Sequence, residues 1–257
     1  MFIEERQNKI LEIISKEKSV TVNKLKKILD VSGVTIRSDL NELSKKGLIN
    51  RTHGGATAVQ ETESGLVVEN NLKAKLSRNY EFKAEIADKA VQYIKSDSCI
   101  VLDASSTAFE LAKRIKETNL KLMILTSSLN IVVLFKDSYN ITVILIGGVY
   151  SNEYNATIGD LGSDIMKRIN IDIAFVSGHA ISIEKGLTEF NPFEVRLKEA
   201  IVKHSMQVIA LFDYTKLDLV STTSFAEVSE IDILITNVND VEEELLKKFK
   251  KNNFKVE

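Results

Sequence analysis

The chain has 257 residues, 44% of them hydrophobic, enough for one large or two unequal domains with a sizeable core. A net charge of −2 with 27% charged residues is ordinary for a soluble protein, and the single cysteine, Cys99, excludes an internal disulfide framework and fits a reducing cytosol. The start, "MFIEERQNK", lacks the basic residues and apolar run of a secretory signal, and no apolar stretch approaches the ~18 residues of a spanning helix. A cytoplasmic protein with no membrane partner is expected.

Charge is unevenly placed. Residues 1–60 hold 11 Lys and Arg against 7 Asp and Glu, whereas residues 61–257 hold 23 against 29. A basic first quarter on an acidic remainder points to an N-terminal part that touches a polyanion, and scattered surface charge is the plain alternative. In "IEERQNKILEIISKEK", Ile3, Ile10, Leu11, Ile13 and Ile14 form one stripe at helical spacing. "VTVNKLKKIL" reads as a second helix, capped by Thr21, with Leu25, Ile28 and Leu29 inward. After the turn "DVS", Ser32 is placed to cap a third helix in which Ile36, Leu40 and Leu43 mark the buried face. At ~100° per residue, Ser38, Asn41 and Lys45 then face away, flanked by Thr35 and Arg37. Polar hydrogen-bonding side chains on a free helix face are what base reading in a major groove requires. Gly47 stops this helix, and "LINRTHGGA" reads as a short strand and glycine turn, the form of a β-wing. A small helical interaction domain with a solvated polar face would share the three-helix pattern.

"TIRSDLNELSKKGLINRTHGGA" resembles the N-terminal domain of DeoR-type bacterial transcriptional regulators, a resemblance that covers about the first 56 residues. It implies that Thr35 and Arg37 contact DNA and that Arg51 and His53 contact it from the wing. Ser38 stands where the family carries a second arginine, so the base preference of relatives does not transfer: Arg bridges two acceptors, while Ser offers one short bond. Three histidines, His53, His179 and His204, and one cysteine give no ligand spacing, so neither metal nor cofactor is expected.

Residues 57–71, "TAVQETESGLVVENN", lack helical period and read as a linker between a domain at 1–56 and another at 72–257. Helical character resumes in "LKAKLSRNYEFKAEIADKAVQYI". From residue 99 the β-branched runs "CIVLDA", "LMILTS", "ITVILIGG", "IDIAFVSG", "MQVIALFD" and "IDILITN" alternate with helix-length segments such as "TAFELAKRIK", "DLGSDIMKRI" and "PFEVRLKEAIVKHS". The pattern predicts an α/β fold, a mostly parallel sheet covered by helices. In such sheets ligands bind at the carboxyl ends of strands. "LDASSTAFELA" places Asp103, Ser105, Ser106 and Thr107 at a strand-to-helix turn, where free N–H groups and small hydroxyls suit an anion, an ordinary N-cap being the alternative. "LTSSLN" repeats the arrangement with Thr126 and Ser127. "GLTEFNPFEVRLK" and "LFDYTKL" add Glu194, Lys198, Asp213 and Lys216; Glu194 and Lys198 have the spacing of a solvated helix-surface pair, and Lys216 follows a strand, where a phosphate would meet it.

"LDASST", "TSSLN", the glycines Gly147 and Gly148, "DIAFVSG", "GLTEFN" and "DYTK" resemble the DeoR-type C-terminal sensor domain, related to ribose-5-phosphate isomerase and other sugar-phosphate-binding folds. The resemblance implies a phosphate loop at Ser105, Ser106 and Thr107, a sugar side at Thr126, Ser127, Asp213 and Lys216, and Glu194 and Lys198 close by. Ala104 stands where the family has Gly, Ser127 where it has Asn, Ser151 where an Arg follows "GGVY", and Gly159–Asp160 where it has Gly-Pro. These departures change hydroxyl recognition, so the sugar's identity does not transfer. The expected protein is a ligand-controlled transcription factor, a repressor in most of this family, and not an enzyme. Its partners are double-stranded operator DNA, a small phosphorylated sugar and copies of itself, as dimer or tetramer, because specificity against a genome needs paired half-sites. A sugar-phosphate isomerase-like enzyme with an appended helical domain, and a DNA-binding regulator whose sensor has lost its ligand, are the alternatives.

Overall fold

The computed structural model describes residues 3–17, 19–45, 49–52, 54–57, 76 and 78–257. The chain divides into two compact units, Met1–Arg78 and Asn79–Glu257. In the first, helix α1 (Ile3–Glu17), strand β1 (Ser19–Thr21), helix α2 (Val22–Leu29) and helix α3 (Gly33–Lys45) precede a hairpin of β2 (Asn50–Thr52) and β3 (Gly55–Thr57). Ile10, Ile14, Leu25, Ile36, Leu40 and Leu43 are buried together, the faces that their helical spacing predicts. Thr21 caps α2 by accepting from the Lys24 amide at 3.2 Å, and Ser32 caps α3 by accepting from the Thr35 amide at 3.1 Å. Asp30 closes α2 in the left-handed conformation, φ 50°, which turns the chain sharply into α3. Ile28 departs from expectation: it is 51% exposed. Leu25 and Val22 already fill the contact of this short helix with the core. The hairpin pairs antiparallel with β1 in the order β1-β3-β2, so the wing is a three-stranded sheet. Gly55 permits this approach, because a Cβ there would lie 2.0 Å from the Val20 carbonyl oxygen. Ile3, Gly47, His53 and the linker from residue 58 to 71 lie outside the residues whose side chains or backbone are described.

The second unit is built on seven parallel strands: β4 (Ser98–Leu102), β5 (Leu122–Thr126), β6 (Ile141–Leu145), β9 (Ile171–Val176), β12 (Ser205–Leu211), β14 (Ile233–Ile235) and β15 (Lys255–Val256). Alternate residues feed different cores: Val101, Ala174, Val176, Val208 and Ala210 join one cluster, Ile100, Leu102, Phe175, Ile209 and Leu211 the other. Helices α4 (Tyr80–Ala90), α5 (Ser106–Lys116) and α6 (Leu129–Leu134) cover the second cluster, and α7 (Pro192–His204) and α8 (Glu243–Lys250) cover the first. "DLGSDIMKRI" forms only a 3₁₀ turn at Ser163–Lys167. Gly162 packs so close to Gly147, with a hypothetical Cβ 2.3 Å from its carbonyl oxygen, that the segment's start is held as a loop and too few residues remain before β9. Smaller elements flank the sheet: the hairpin β7 (Val149–Ser151) with β8 (Ala156–Ile158), and the antiparallel set β10 (Ala180–Ser182), β11 (Gly186–Glu189) and β13 (Thr223–Ala226).

The strand order β15-β14-β12-β9-β4-β5-β6 fixes where a ligand crevice lies. From β4 the chain proceeds outward through β5 and β6, then returns to β9 on the other side of β4 and proceeds outward through β12, β14 and β15. Connections therefore leave β4 and β9 in opposite directions, and the gap beyond their carboxyl ends is the switch point of the sheet.

Candidate functional site

The free face of α3 is as polar as its sequence. Arg37, Ser38 and Asn41 are exposed, Thr35 is half-buried with its hydroxyl 2.8 Å from that of Ser32, and Lys45 ends the helix, its side chain lying outside the described residues. Arg51 on β2 is half-buried and donates from Nε to Asn41 Oδ1 at 3.2 Å and from a terminal nitrogen to the Gly55 carbonyl at 2.7 Å. The hydrogen bonds thus join the base of the wing to the free face of α3. Within this unit, Asp39 is 4% exposed and is gripped by Arg6 of α1 through Nε to Oδ2 at 2.5 Å and through a second nitrogen to Oδ1 at 3.1 Å. Sequence reasoning passed over this pair. Its signal is an acid three residues after Ile36, on the stripe that is otherwise apolar.

At the switch point of the second unit, Asp103 follows β4 and Ser177 follows β9. Asp103 is 2% exposed; its Oδ1 accepts from the Ser105 amide at 3.0 Å and its Oδ2 from the Ser177 amide at 2.8 Å. One carboxylate therefore ties the two strand ends together. Lys198, on the inward face of α7, reaches the same place. Its Nζ lies 2.6 Å from Glu189 Oε2, 3.6 Å from Asp103 Oδ2 and 4.0 Å from Glu194 Oε2, and donates to the Ser177 carbonyl at 2.8 Å. The solvated surface pair read from the spacing of Glu194 and Lys198 is thus replaced by a buried cluster, because α7 turns this face toward the sheet edge. Burial by itself lowers an ammonium's pKa; here the charges of Glu189, Asp103 and Glu194 outweigh it and hold Lys198 above its ordinary value. Glu189, at the end of β11, is the nearest partner and is absent from the sequence reading. An acid closing the otherwise buried strand "GLTE" was its signal.

Asp103, Ala104, Ser127, Thr157, Glu194 and Lys198 line a small, partly open pocket. The β7–β8 hairpin supplies one wall, held by the Thr157 amide donating to the Ser127 carbonyl at 2.9 Å and the Gly159 amide donating to the Phe193 carbonyl at 3.0 Å. Half-buried Tyr154 belongs to the same hairpin, and burial followed by the charges of Glu194 and Glu153 pushes its phenol up to about 12. Beside the pocket, Ser105 caps α5 by accepting from the Ala108 amide at 3.1 Å, while Ser106 and Thr107 are buried in the first helical turn. The Thr107 hydroxyl has no hydrogen-bond partner among the described residues. Thr126 is fully buried and accepts from the Ser128 amide at 3.1 Å.

Asp213 and Lys216 stand on the same edge, after β12. Asp213 Oδ1 accepts from Asn79 Nδ2 at 3.2 Å and from the Thr215 hydroxyl, and its Oδ2 is buried without a hydrogen-bond partner among the described residues. Lys216 donates to the Gly178 carbonyl at 2.9 Å, just beyond the end of β9. The fold therefore brings Asp103, Ser127, Glu194 and Lys198 to one pocket, while Ser105, Asp213 and Lys216 follow β4 and β12 at the carboxyl edge of the same sheet. Among the described residues no helix is long and apolar enough to cross a membrane.

Residues 6–62 match the family described as the DeoR-like helix-turn-helix domain, and residues 78–238 match the DeoR C terminal sensor domain. The HTH-type transcriptional regulator GolR of Listeria innocua is 39% identical over 97% of this chain and 96% of its own length. The L-fucose operon activator of Haemophilus influenzae is 29% identical over 90% of this chain and 91% of its own. The structure of ribose 5-phosphate isomerase A from Methanocaldococcus jannaschii aligns with 54% of this chain and 55% of that one at 20% identity and a TM-score of 0.40. With a helix-turn-helix match ahead of a sensor-domain match, and a full-length relative at 39% identity, the chain belongs to the DeoR family of helix-turn-helix transcriptional regulators.

Proposed function

We propose that this regulator represses a sugar or carbohydrate operon and leaves its operator when a phosphorylated sugar binds the carboxyl edge of the sensor sheet. Residues 1–56 read double-stranded DNA through Thr35, Arg37, Ser38, Asn41 and Lys45 of α3 and through Arg51 and His53 of the wing. Residues 57–71 link them to residues 72–257, which hold the effector and the contacts of a homo-oligomer. Repression is the simpler sign, because occupancy of a promoter is sufficient for it. The H. influenzae relative named an activator makes the sign a matter for a reporter assay.

The observation that carries the sensor reading is the coincidence of three features at one place. The switch point between β4 and β9, a pocket lined by charged and hydroxyl side chains, and the start of α5 all meet at Asp103. Ser105, Ser106 and Thr107 take the phosphate at the start of α5, Lys216 meets part of its charge, and Thr126, Ser127, Asp213, Glu194 and Lys198 surround the sugar. Near-complete switching requires the effector to prefer the non-binding arrangement by about 5 kcal/mol. The isomerase alternative needs a carboxylate base beside the substrate carbons. Asp103 is poorly suited to it, since both oxygens already accept backbone amides.

Titration of the protein against its own upstream DNA, with and without a panel of sugar phosphates, tests the reading. One member should raise the melting temperature and weaken operator binding. A panel that changes neither, on protein that binds the operator, leaves a regulator whose sensor has lost its ligand. Turnover of a sugar phosphate would establish the enzyme instead.

A further inference from the structure

Asn79 is the first residue of the second unit and stands at the N-cap of α4, where an asparagine side chain ordinarily accepts from an amide of the first helical turn. Here it does not. Its backbone is left-handed, φ 52° and ψ 34°, where a capping residue is extended, and its side chain makes no capping bond. Left-handed backbone is unfavourable for any residue with a Cβ, though asparagine tolerates it better than most. The side chain turns instead to the end of β12, where Nδ2 donates to Asp213 Oδ1 at 3.2 Å and to the Thr215 hydroxyl at 3.1 Å. The first turn of α4 meets the same segment. Phe82 packs edge to face on Tyr214, ring centroids 5.0 Å apart, and its carbonyl accepts from Asn237 Nδ2 at 3.2 Å. Asp213 itself is 1% exposed, and its Oδ2 has no hydrogen-bond partner among the described residues. One carboxylate thus holds Asn79 with one oxygen and leaves the other to a donor.

We propose that Asn79 is the positioning residue that carries effector binding to the DNA-binding unit, exchanging its bonds to Asp213 and Thr215 for the cap of α4 when a sugar hydroxyl donates to Asp213. The inference rests on the reading of Asp213 as an effector contact and adds the step by which that contact reaches the linker. The two arrangements are chemically matched. In one, the Asn79 amide donates to the end of β12 and the first amides of α4 lack a side-chain cap. In the other, the side-chain oxygen accepts from the first turn and the backbone is extended. A hydroxyl on Oδ2 draws on the charge that also holds Asn79 at Oδ1, which weakens the first arrangement relative to the second. The Asn79 carbonyl already accepts from the Lys83 amide at 3.1 Å, the opening bond of the helix. A change of φ and ψ at this residue therefore falls on the chain before it, through which the DNA-binding unit is tethered.

The test is Asn79→Ser in the full-length protein, because serine caps a helix as well as asparagine and carries no amide to donate to Asp213. The variant should melt no lower than the wild type, yet bind the operator about threefold or more weakly with no sugar present, read by fluorescence anisotropy. Asp213→Ala should weaken operator binding similarly, and the two changes together should weaken it no further. Coupling is reciprocal, so the variant should bind a sugar phosphate at least as tightly as the wild type does in calorimetry, and its operator affinity should respond less. The probes are glucose, galactose and fructose 6-phosphates and ribose 5-phosphate. A residue that served structure alone would lower the melting temperature and leave operator affinity unchanged, and that result overturns the proposal, as does an additive loss in the pair. Asn79→Asp, a capping residue that Asp213 repels, decides the matter if the serine variant does not fold. A sugar that releases Asn79→Ser from the operator as it releases the wild type removes the coupling and keeps the sugar-phosphate reading. If no sugar phosphate binds the wild type, that reading fails, and the operator affinities of the variants still decide whether Asn79 couples the β12 end to DNA.

Discussion

The N-terminal unit buries one cation with one anion, Arg6 with Asp39, whereas the sensor unit buries one ammonium among three carboxylates, Lys198 with Asp103, Glu189 and Glu194. The first arrangement is closed: two parallel hydrogen bonds satisfy both partners, and the pair pins α1 to α3. The second is shared: Lys198 also donates to the Ser177 carbonyl, and His179 lies 3.8 Å from Glu189. A buried pair of one cation and one anion serves packing and registry, while a lysine shared by several carboxylates ties together the elements that carry them, here the end of β4, β11 and α7. The same contrast separates the two proposed reading surfaces. Arg37, Ser38 and Asn41 stay in water, as suits a partner that brings many charges across a wide groove, and the sensor's polar groups are withdrawn, as suits discrimination between small molecules.

The largest effect expected from this contrast is that of Lys198→Met. It removes the ammonium that three carboxylates share and should lower stability by about 3–5 kcal/mol, measured by denaturant unfolding of the sensor unit. Because the ammonium's pKa is raised, its stabilisation is complete below the ordinary lysine value of ~10.4 and is lost only as pH climbs through the raised one, so the deficit should be flat from neutral pH to about 9. A deficit that vanished at neutral pH would mean that the cluster is held by packing alone.

Arg6→Met should cost somewhat less, of order 3 kcal/mol, by stranding Asp39, and the double variant Arg6→Met, Asp39→Leu should recover most of that loss. No comparable single partner exists for Lys198, so Lys198→Met combined with Glu189→Leu should recover only part of its deficit. Equal recovery in the two pairs would erase the distinction between a single pair and a shared cluster.

On the exposed side, Arg37→Ala should weaken specific operator binding by about 1–3 kcal/mol per half-site while leaving the melting temperature unchanged, since the side chain makes no buried contact. A gel-shift titration with unchanged affinity would remove α3 from the groove.

The smallest effect belongs to Tyr154. Its phenol is held up to about 12, above the ordinary value of ~10, so between those two values the unfolded chain ionises while the native state does not. The native protein therefore loses stability as pH rises through that window. Tyr154→Phe should flatten the alkaline limb slightly and leave stability below pH ~10 little changed. Absorbance titration of the phenols should show one late component missing in the variant.

Much of this molecule is legible along the chain. The faces of α1 and α3, the caps at Thr21 and Ser32, the wing hairpin and the six main strands all follow from periodicity and turn chemistry, because they rest on contacts between near neighbours. The sequence also determines which polar residues lie at the ends of β4, β5 and β12, since a strand followed by a helix leaves its ligand end identifiable. The order of strands, and with it the switch point between β4 and β9, is decided only by the tertiary fold. So are the meeting of Lys198 with Glu189 across the gap between α7 and β11, the closure of Arg6 on Asp39 over thirty-three positions, and the placing of Ile28 in solvent. Local spacing records which residues share a face of one element. It carries no record of what that face will meet, and the partners of a buried charge come from wherever the packed chain brings them.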